Sequence, residues 1–479
     1  MSYPFTVRLR SMPADTLTPV SVYLRLRDHF PNALLLESSD YNGNENSYSY
    51  ICCRPLAGIV LQQGVLTKEL PDGTSHSSGP ARVALLEELS SFIGSFSFAP
   101  TPKACCNGRF FGHINYDAVT AFEQIELREQ EDEAAAIPDI RLHIYRYLII
   151  FDHFNHTVYL VSQAAANEEH PGMESIEALL HRPCAAAYPF DTIGEETADT
   201  TEAEYKEMVV AGKGHCLRGD VFQVVLSRSF AQAFKGDDFN VYRALRMVNP
   251  SPYLFYFDYG NYRLFGSSPE TQLRVSNDNA IMYPIAGTCK RSGNEEEDAQ
   301  RIRELLQDPK ENAEHTMLVD LARNDLGKSH DQVTVTSYKK IQRFAHVAHI
   351  VSEVTATLPQ HKDGMHMIAD TFPAGTLSGA PKYKAMQLID RYEKTKRGYY
   401  GGAIGFLSPD GSLNQAIMIR SFMSRDHKLH YRAGAGIVAS SSPEKELQEV
   451  ADKLRGLRLA IEKAKAISST IPVPAIQNT

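Results

Sequence analysis

Short apolar runs and amphipathic stretches alternate along this chain, and their two periods predict different elements. Continuous apolar runs at Leu34-Leu35-Leu36, Tyr145 to Phe151 and Val221 to Leu226 predict buried strands. Further strands are expected at Tyr253 to Asp258, Tyr262 to Gly266 and Leu273 to Ser276. Helical spacing predicts helices at Glu202 to Leu217, Glu295 to Leu306, Lys310 to Ala322, Pro381 to Tyr392 and Pro443 to Ala464. The first of these is turned by Arg218-Gly219-Asp220. Strands and helices interleaved in this way argue for a mixed α/β architecture. The acidic, small-residue stretch Thr192 to Glu204 reads as a surface linker. It divides the chain into an N-terminal region, residues 1–195, and a second region, residues 200–465, before a frayed tail, residues 466–479. No repeat at a fixed period and no low-complexity segment is visible.

Composition narrows the classes. A chain of 479 residues with 43% apolar positions can bury a sizeable core, as two or three domains or as one large architecture. A net charge of −9 and a pI near 6.0 argue against nucleic acid or an anionic membrane as partner. The start, Met1-Ser2-Tyr3-Pro4-Phe5, lacks an apolar signal core, and the run Tyr145 to Phe151 is too short to span a bilayer. Seven cysteines, Cys52, Cys53, Cys105, Cys106, Cys184, Cys216 and Cys289, have no metal-type spacing. They read as reduced thiols filling the core of a cytoplasmic protein.

Two carboxylate pairs carry the first chemical signal. Asp308-Pro309 is a cap followed by proline at the first helical position, which puts Glu311 and Glu314 three apart on one face. Ser442-Pro443 opens a second helix, on which Glu446, Glu449 and Lys453 share a face. Two such helices facing each other offer four carboxylates, the oxygen donors that Mg²⁺ favours. Glu311 could instead close a capping box with Asp308, the reading preferred for that residue alone. For Glu314 and Glu449, ligands and a solvated face both stay open at this level.

Glycine-rich segments supply the second signal. Tyr400 to Gly405 and Ala433-Gly434-Ala435-Gly436-Ile437 read as strands with room on one face. Phe372 to Lys382 reads as a loop entering a helix, with N–H groups that can meet an anion. Neither a Rossmann fingerprint nor a phosphate loop is present. Arg420 reads as lying inside the apolar, strand-like run Ala416 to Ile419, where a guanidinium is costly to bury unless it meets a carboxylate.

Taken together, these segments resemble the large, synthase-subunit family of anthranilate synthases, one branch of the chorismate-utilising enzymes. The matching stretches are Leu35 to Ser38, Phe222 to Val225, Asn249-Pro250-Ser251-Pro252-Tyr253, Gly266 to Glu270, Pro284 to Thr288, Asp320 to Asp325, Phe372 to Lys382 and Ala433 to Val438. The resemblance spans nearly the whole chain and is densest from residue 205 to 460. It implies large antiparallel sheets packed as a sandwich with helices outside, and an N-terminal region that binds tryptophan.

What else the resemblance implies can be assigned residue by residue. Relatives that add water carry a lysine base where this chain has Gln223, and relatives that make aminodeoxychorismate carry a nucleophilic lysine where it has Ala286. Both positions point to direct addition of ammonia. Chorismate is expected to lie with its ring carboxylate on Mg²⁺ held by Glu314 and Glu449, with Glu311 and Glu446 acting beside them or through water. Arg420 and Tyr400 are expected to hold the enolpyruvyl carboxylate, with backbone at Gly434 and Gly436. Glu270 is the expected general acid, with a pKa raised by burial, and His349 assists near the enolpyruvyl group. Read from the residues alone, Glu270 is equally a strand-end acid and His349 a satisfied histidine on a helix face. Gln223 and Thr288 join the catalytic set, and Gly287, Thr376 and Lys453 the substrate set. The loop departs from the family pattern: with Cys289-Lys290-Arg291-Ser292-Gly293 it is one residue longer, so its basic side chains receive no role.

The resemblance also implies tryptophan as feedback inhibitor, held by Glu37, Ser38, Asn249, Pro250, Ser251 and Tyr253. No cysteine sits in a glycine-flanked nucleophile elbow, so the ammonia is expected from a separate glutamine amidotransferase subunit. Two other functions fit the same motifs. One is a relative that stops at 2-amino-2-deoxyisochorismate; the other is a catalytically inactive tryptophan-binding subunit.

Overall fold

The computed structural model describes residues 2–38, 47–79, 82–128, 137–170, 172–182, 187–276, 278–328, 332–343, 347–358 and 364–469. Two antiparallel layers are joined through a pair of long strands, Tyr48–Gln62 and Ile140–Asp152. Their early register, Tyr48 against Asp152 through Cys53 against Tyr147, belongs to the first layer. A register shift between Pro55 and Ala57 then bends the pair, and Ala57 to Leu61 against Ile144 to Ile140 belongs to the second. Pro55 has no N–H to give the ladder, and Arg54 sits at φ 63°, so the bend falls where regular pairing is weakest.

From that corner the first layer runs outward through Leu34–Ser38, Tyr253–Asp258, Arg263–Ser268, Ser421–Arg425, Lys428–Ile437, Gln223–Gly236 and Phe190–Ala198. The second runs through Phe110–Ile114, Ala403–Leu407, Leu413–Ile417, Thr271–Ser276, Asn279–Met282 and Val347–Thr357. Strands Ile285–Lys290 and Val333–Arg343 both pair with the last of these. Hydrogen bonding thus crosses residues 195–200 repeatedly.

The continuous apolar runs follow from burial on both faces. Leu35 and Tyr256 point to a cluster shared with the helices Glu202–Arg218, Phe239–Val248 and Pro443–Ser469. Their neighbours Leu34, Leu36, Phe255 and Phe257 enter a cluster between the layers, with Phe111, Ile404 and Ile417 of the second. Each such side chain contributes roughly 1.5–3 kcal/mol on burial.

Local signals set the helix starts. Thr201 and Glu204 form a capping box at one, and Asp308 accepts from the N–H groups of Lys310 and Glu311 at another. The acidic stretch expected as a linker is instead the edge strand Phe190–Ala198 and the cap of the next helix. Its polar side chains face solvent, and Phe190 is its buried apolar anchor. The C-terminal helix runs to Ser469, past the start of the expected frayed tail, whose residues 470–479 lie outside the described set. Of the cysteines, Cys52, Cys53, Cys105 and Cys106 are buried and free, Cys216 and Cys289 are partly exposed and free, and Cys184 lies outside the described residues. Among the described residues no helix is long and apolar enough to cross a membrane.

Candidate active site

A cavity of about 550 Å³ lies between the strands Gln223–Gly236 and Lys428–Ile437 on one side and the helices Pro309–Gly327 and Pro443–Ser469 on the other. The two strands pair with Val225 opposite Gly436 and Ser227 opposite Gly434. Gln223, Val225, Gly434 and Gly436 face the cavity together, as the two-residue period requires. A Cβ at Gly436 would come within 2.3 Å of Gln223 Nε2, so the glycine makes room for that amide.

A bulge sets the opposite wall. The register of Ile285–Lys290 shifts between Ala286 and Thr288, at Gly287, whose φ of +76° favours glycine. Ala286, Gly287 and Thr288 all line the cavity, and Thr288 stands opposite His349. The Thr288 hydroxyl lies 2.9 Å from His349 Nδ1. His349 is on the strand Val347–Thr357, not a helix face. Burial pulls its pKa below the usual histidine value, so it is neutral at pH 7.

Glu270 follows the strand Arg263–Ser268. Enclosure pushes its carboxyl up to about 7, against the Thr376 hydroxyl bond and the charges of Lys453 and Arg420. Arg420 is not inside a strand; it lies in the bend between Leu413–Ile417 and Ser421–Arg425, with φ +48°. That bend turns its side chain to the cavity, beside Tyr400 and Thr376. Burial lowers the guanidinium's pKa, and Glu270 is the charge that supports it.

The acidic end carries Glu314, Glu446 and Glu449 on the cavity wall, with Lys310 and Lys453. Burial raises the pKa of Glu314, and the charges of Glu311 and Glu449 raise it further. Glu446 is likewise raised by burial and by Glu449. Glu311 does not close a capping box: the Asp308 N–H goes to Leu305 O, and the Glu311 carboxylate lies against Gly287. Lys453 pairs with Glu449 at 2.7 Å and donates to Gly434 O at 2.8 Å. Among the described residues no three acidic, histidine or cysteine side chains are drawn tightly enough to close around an ion. The donor set nevertheless fits a hard divalent cation: all oxygen, on two facing helices, with mutual repulsion that such a cation would relieve.

The residues expected to hold tryptophan do not line this cavity. Ser38 pairs with Tyr253 and Glu37 with Leu254 across neighbouring strands, so two motifs over 200 residues apart meet. Glu37 is buried and already holds Arg246, with contacts of 2.8 and 2.9 Å, and the Tyr242 hydroxyl. Burial still leaves its pKa raised. Tyr253 gives its hydroxyl to Asn414 at 2.9 Å, and Ser251 is buried while Pro250 is exposed. In the long loop, Arg291 is spent on Asp298 at 3.0 Å.

Sequence reasoning missed one charged group behind the cavity. Glu393 holds Arg397 at 2.6 Å and Arg432 at 2.9 Å, all three buried, and accepts from Ser227. Arg432 also reaches the cavity wall. A Glu-Arg pair four apart at 393 and 397 was the available signal; the second arginine arrives from another strand.

Residues 45–458 match the family described as chorismate binding enzyme. Anthranilate synthase component 1 of Aquifex aeolicus is 35% identical over 474 residues, covering 94% of this chain and 93% of that protein. The corresponding protein of Pseudomonas putida is 36% identical over 471 residues, covering 95% of each. In structure, anthranilate synthase component I of Streptococcus pneumoniae superposes with a TM-score of 0.74 at 32% identity, covering 86% of this chain and 92% of that one. The menaquinone-specific isochorismate synthase of Escherichia coli shares the fold, with a TM-score of 0.72 at 19% identity over 95% of this chain and 94% of that one.

Proposed function

This chain belongs to the chorismate-binding enzymes and, within them, to the anthranilate synthase component 1 proteins, and we propose that it joins ammonia to chorismate and releases anthranilate and pyruvate. The observation that carries this reading is that Ala286 and Gln223 line the same cavity as Glu270. Neither can act as an amine nucleophile or as a strong base, so the cavity suits a nucleophile that needs no activation. Ammonia is such a nucleophile.

Arg420 takes the enolpyruvyl carboxylate, with Tyr400 and the backbone near Gly434 and Gly436 closing around it. Glu314 and Glu449, with Glu311 and Glu446 beside them or through water, would hold Mg²⁺ at the other end. When bound, the metal neutralises the ring carboxylate and fixes the ring. Glu270, protonated up to about pH 7, gives its proton to the departing 4-hydroxyl, which leaves as water. Ammonia forms the new bond at carbon 2. Loss of the carbon 2 proton and transfer of a proton to the enolpyruvyl methylene then expel pyruvate and leave the aromatic ring. Neutral His349, positioned by Thr288, serves this second step.

The ammonia comes from a glutamine amidotransferase partner subunit, in keeping with the component 1 name of the relatives. Tryptophan binds at the wall of Glu37, Ser38 and Asn249 to Tyr253 and opposes turnover. The free thiols fit a reducing, cytoplasmic setting. The test is incubation of the purified chain with chorismate, ammonium and Mg²⁺. Anthranilate fluorescence with stoichiometric pyruvate is expected. An amino acid without pyruvate would instead identify an aminodeoxyisochorismate synthase, and unchanged chorismate an inactive binding subunit.

A further inference from the structure

We propose that Asn249 is a positioning residue for the substrate-binding guanidinium of Arg420, joining the amino-acid wall to the chorismate cavity. The inference rests on the functional reading above. Arg420 presents five donors in a rigid fork, and its side chain reaches the cavity from a bend at φ +48° that few residues adopt. A long side chain leaving such a bend needs a second anchor to hold its fork in one orientation. Asn249 supplies it: Arg420 Nη1 donates to Asn249 Oδ1 at 3.3 Å.

Asn249 is itself pinned through both of the peptide units that flank its Cα. Its N–H donates to Leu245 O at 2.9 Å, and its carbonyl accepts from the Ser267 hydroxyl. Ser267 in turn donates its N–H to Arg420 O at 3.1 Å, which closes a ring of three residues. Asn249 also caps the helix Phe239–Val248, the element that carries Tyr242 and Arg246 to the buried Glu37. A shift of that helix when an amino acid engages Glu37 or Ser38 is therefore delivered to Arg420 through one amide. The two sites need no common ligand contact for this coupling.

The test uses Asn249→Ala and Asn249→Asp in the full chain. Chorismate binding is measured by calorimetry with Mg²⁺ and no ammonium, and kcat and KM are measured with ammonium. Losing one bond to a charged group is expected to weaken chorismate binding about tenfold, with kcat changed about threefold or less. Asn249→Asp keeps the shape but offers Arg420 a competing carboxylate, so it is expected to weaken binding at least as much. If Asn249→Ala does not fold, the isosteric variant carries the test. A double-mutant cycle with Arg420→Lys separates positioning from general packing, because Asn249→Ala is expected to cost little once the fork is gone. Chorismate affinity within twofold of wild type in the folded variants overturns the proposal. A wild type that binds chorismate but makes no anthranilate overturns the functional reading alone; a wild type that does not bind it overturns both.

Discussion

Thr376 donates its hydroxyl to the Glu270 carboxylate at 2.8 Å, and this bond opposes the enclosure that holds Glu270 up at about 7. A general acid acts only while protonated, so the chemical step, referred to free ammonia, is expected to slow as pH rises through about 7. Thr376→Val removes a bond to the charged form and is expected to move that fall to higher pH. Linkage has the same sign. A carboxyl raised above its unfolded value stabilises the fold at low pH and loses that stability as pH rises through its folded value. Glu270→Gln is therefore expected to be more stable than wild type above pH 8, by on the order of 3 kcal/mol. Urea unfolding at pH 5 and pH 8.5 checks this; an equal effect at both would refute it.

The acidic end gives a metal prediction with two readouts. Glu314→Gln and Glu449→Gln are each expected to abolish turnover. Because burial and like charge raise the Glu314 carboxyl, neutralising it relieves repulsion, and the Glu314→Gln fold is expected to hold or gain stability without metal. Mg²⁺ is expected to raise the Tm of wild type and not of either variant. Near-normal activity of Glu449→Gln at ordinary Mg²⁺ would remove Glu449 from the metal site.

The helix start at Asp308-Pro309 was legible because its cause lies within four residues of sequence. So were the runs around Leu35 and Phe255, since burial on both faces leaves no polar position to mistake. The edge strand Phe190–Ala198 was not, because its polar, largely exposed side chains resemble a linker. Strand Val333–Arg343 alternates half-buried and exposed positions and passed unnoticed for the same reason. In the site, carboxylate spacing on each helix was visible, but that the two helices face one cavity depends on the fold. Glu37 was expected among the residues that hold tryptophan, with no sign that it already has a partner; Arg246 is over 200 residues away, where no local pattern points.

The cluster behind the cavity predicts a large stability effect. Glu393 is the carboxylate shared by the buried guanidinium groups of Arg397 and Arg432, which hold its pKa below the usual value. Glu393→Gln leaves two buried cations without that charge and is expected to cost about 3–5 kcal/mol in urea unfolding at pH 7. A loss under 1 kcal/mol would mean the guanidinium groups are satisfied by backbone carbonyls alone.

The nitrogen source provides a cleaner test of the partner. The isolated chain is expected to use ammonium, best at alkaline pH where more of it is free ammonia, and not glutamine. Glutamine is expected to serve only after a glutaminase subunit is added. Anthranilate formed from glutamine by the pure chain would reveal a glutaminase site within it.

Feedback is predicted from the pairing of Ser38 with Tyr253. Neither residue lines the cavity of the carboxylates, so tryptophan is expected to act by favouring a less active conformation rather than by competing for the metal end. Glu37 is already bound to Arg246, so an incoming ammonium has to share that carboxylate. Such sharing would tie tryptophan to the helix Phe239–Val248, which carries Arg246. By linkage, chorismate is then expected to weaken tryptophan binding by the same factor that tryptophan weakens chorismate. Ser38→Phe puts a ring where the Ser47 hydroxyl now approaches the Ser38 side chain, so it is expected to fill the wall and remove inhibition while leaving ammonium-dependent turnover near wild type. Titrating tryptophan against both proteins, with and without chorismate, decides it. An uninhibited wild type, or a folded Ser38→Phe that is inhibited as strongly as wild type, would place any regulation elsewhere.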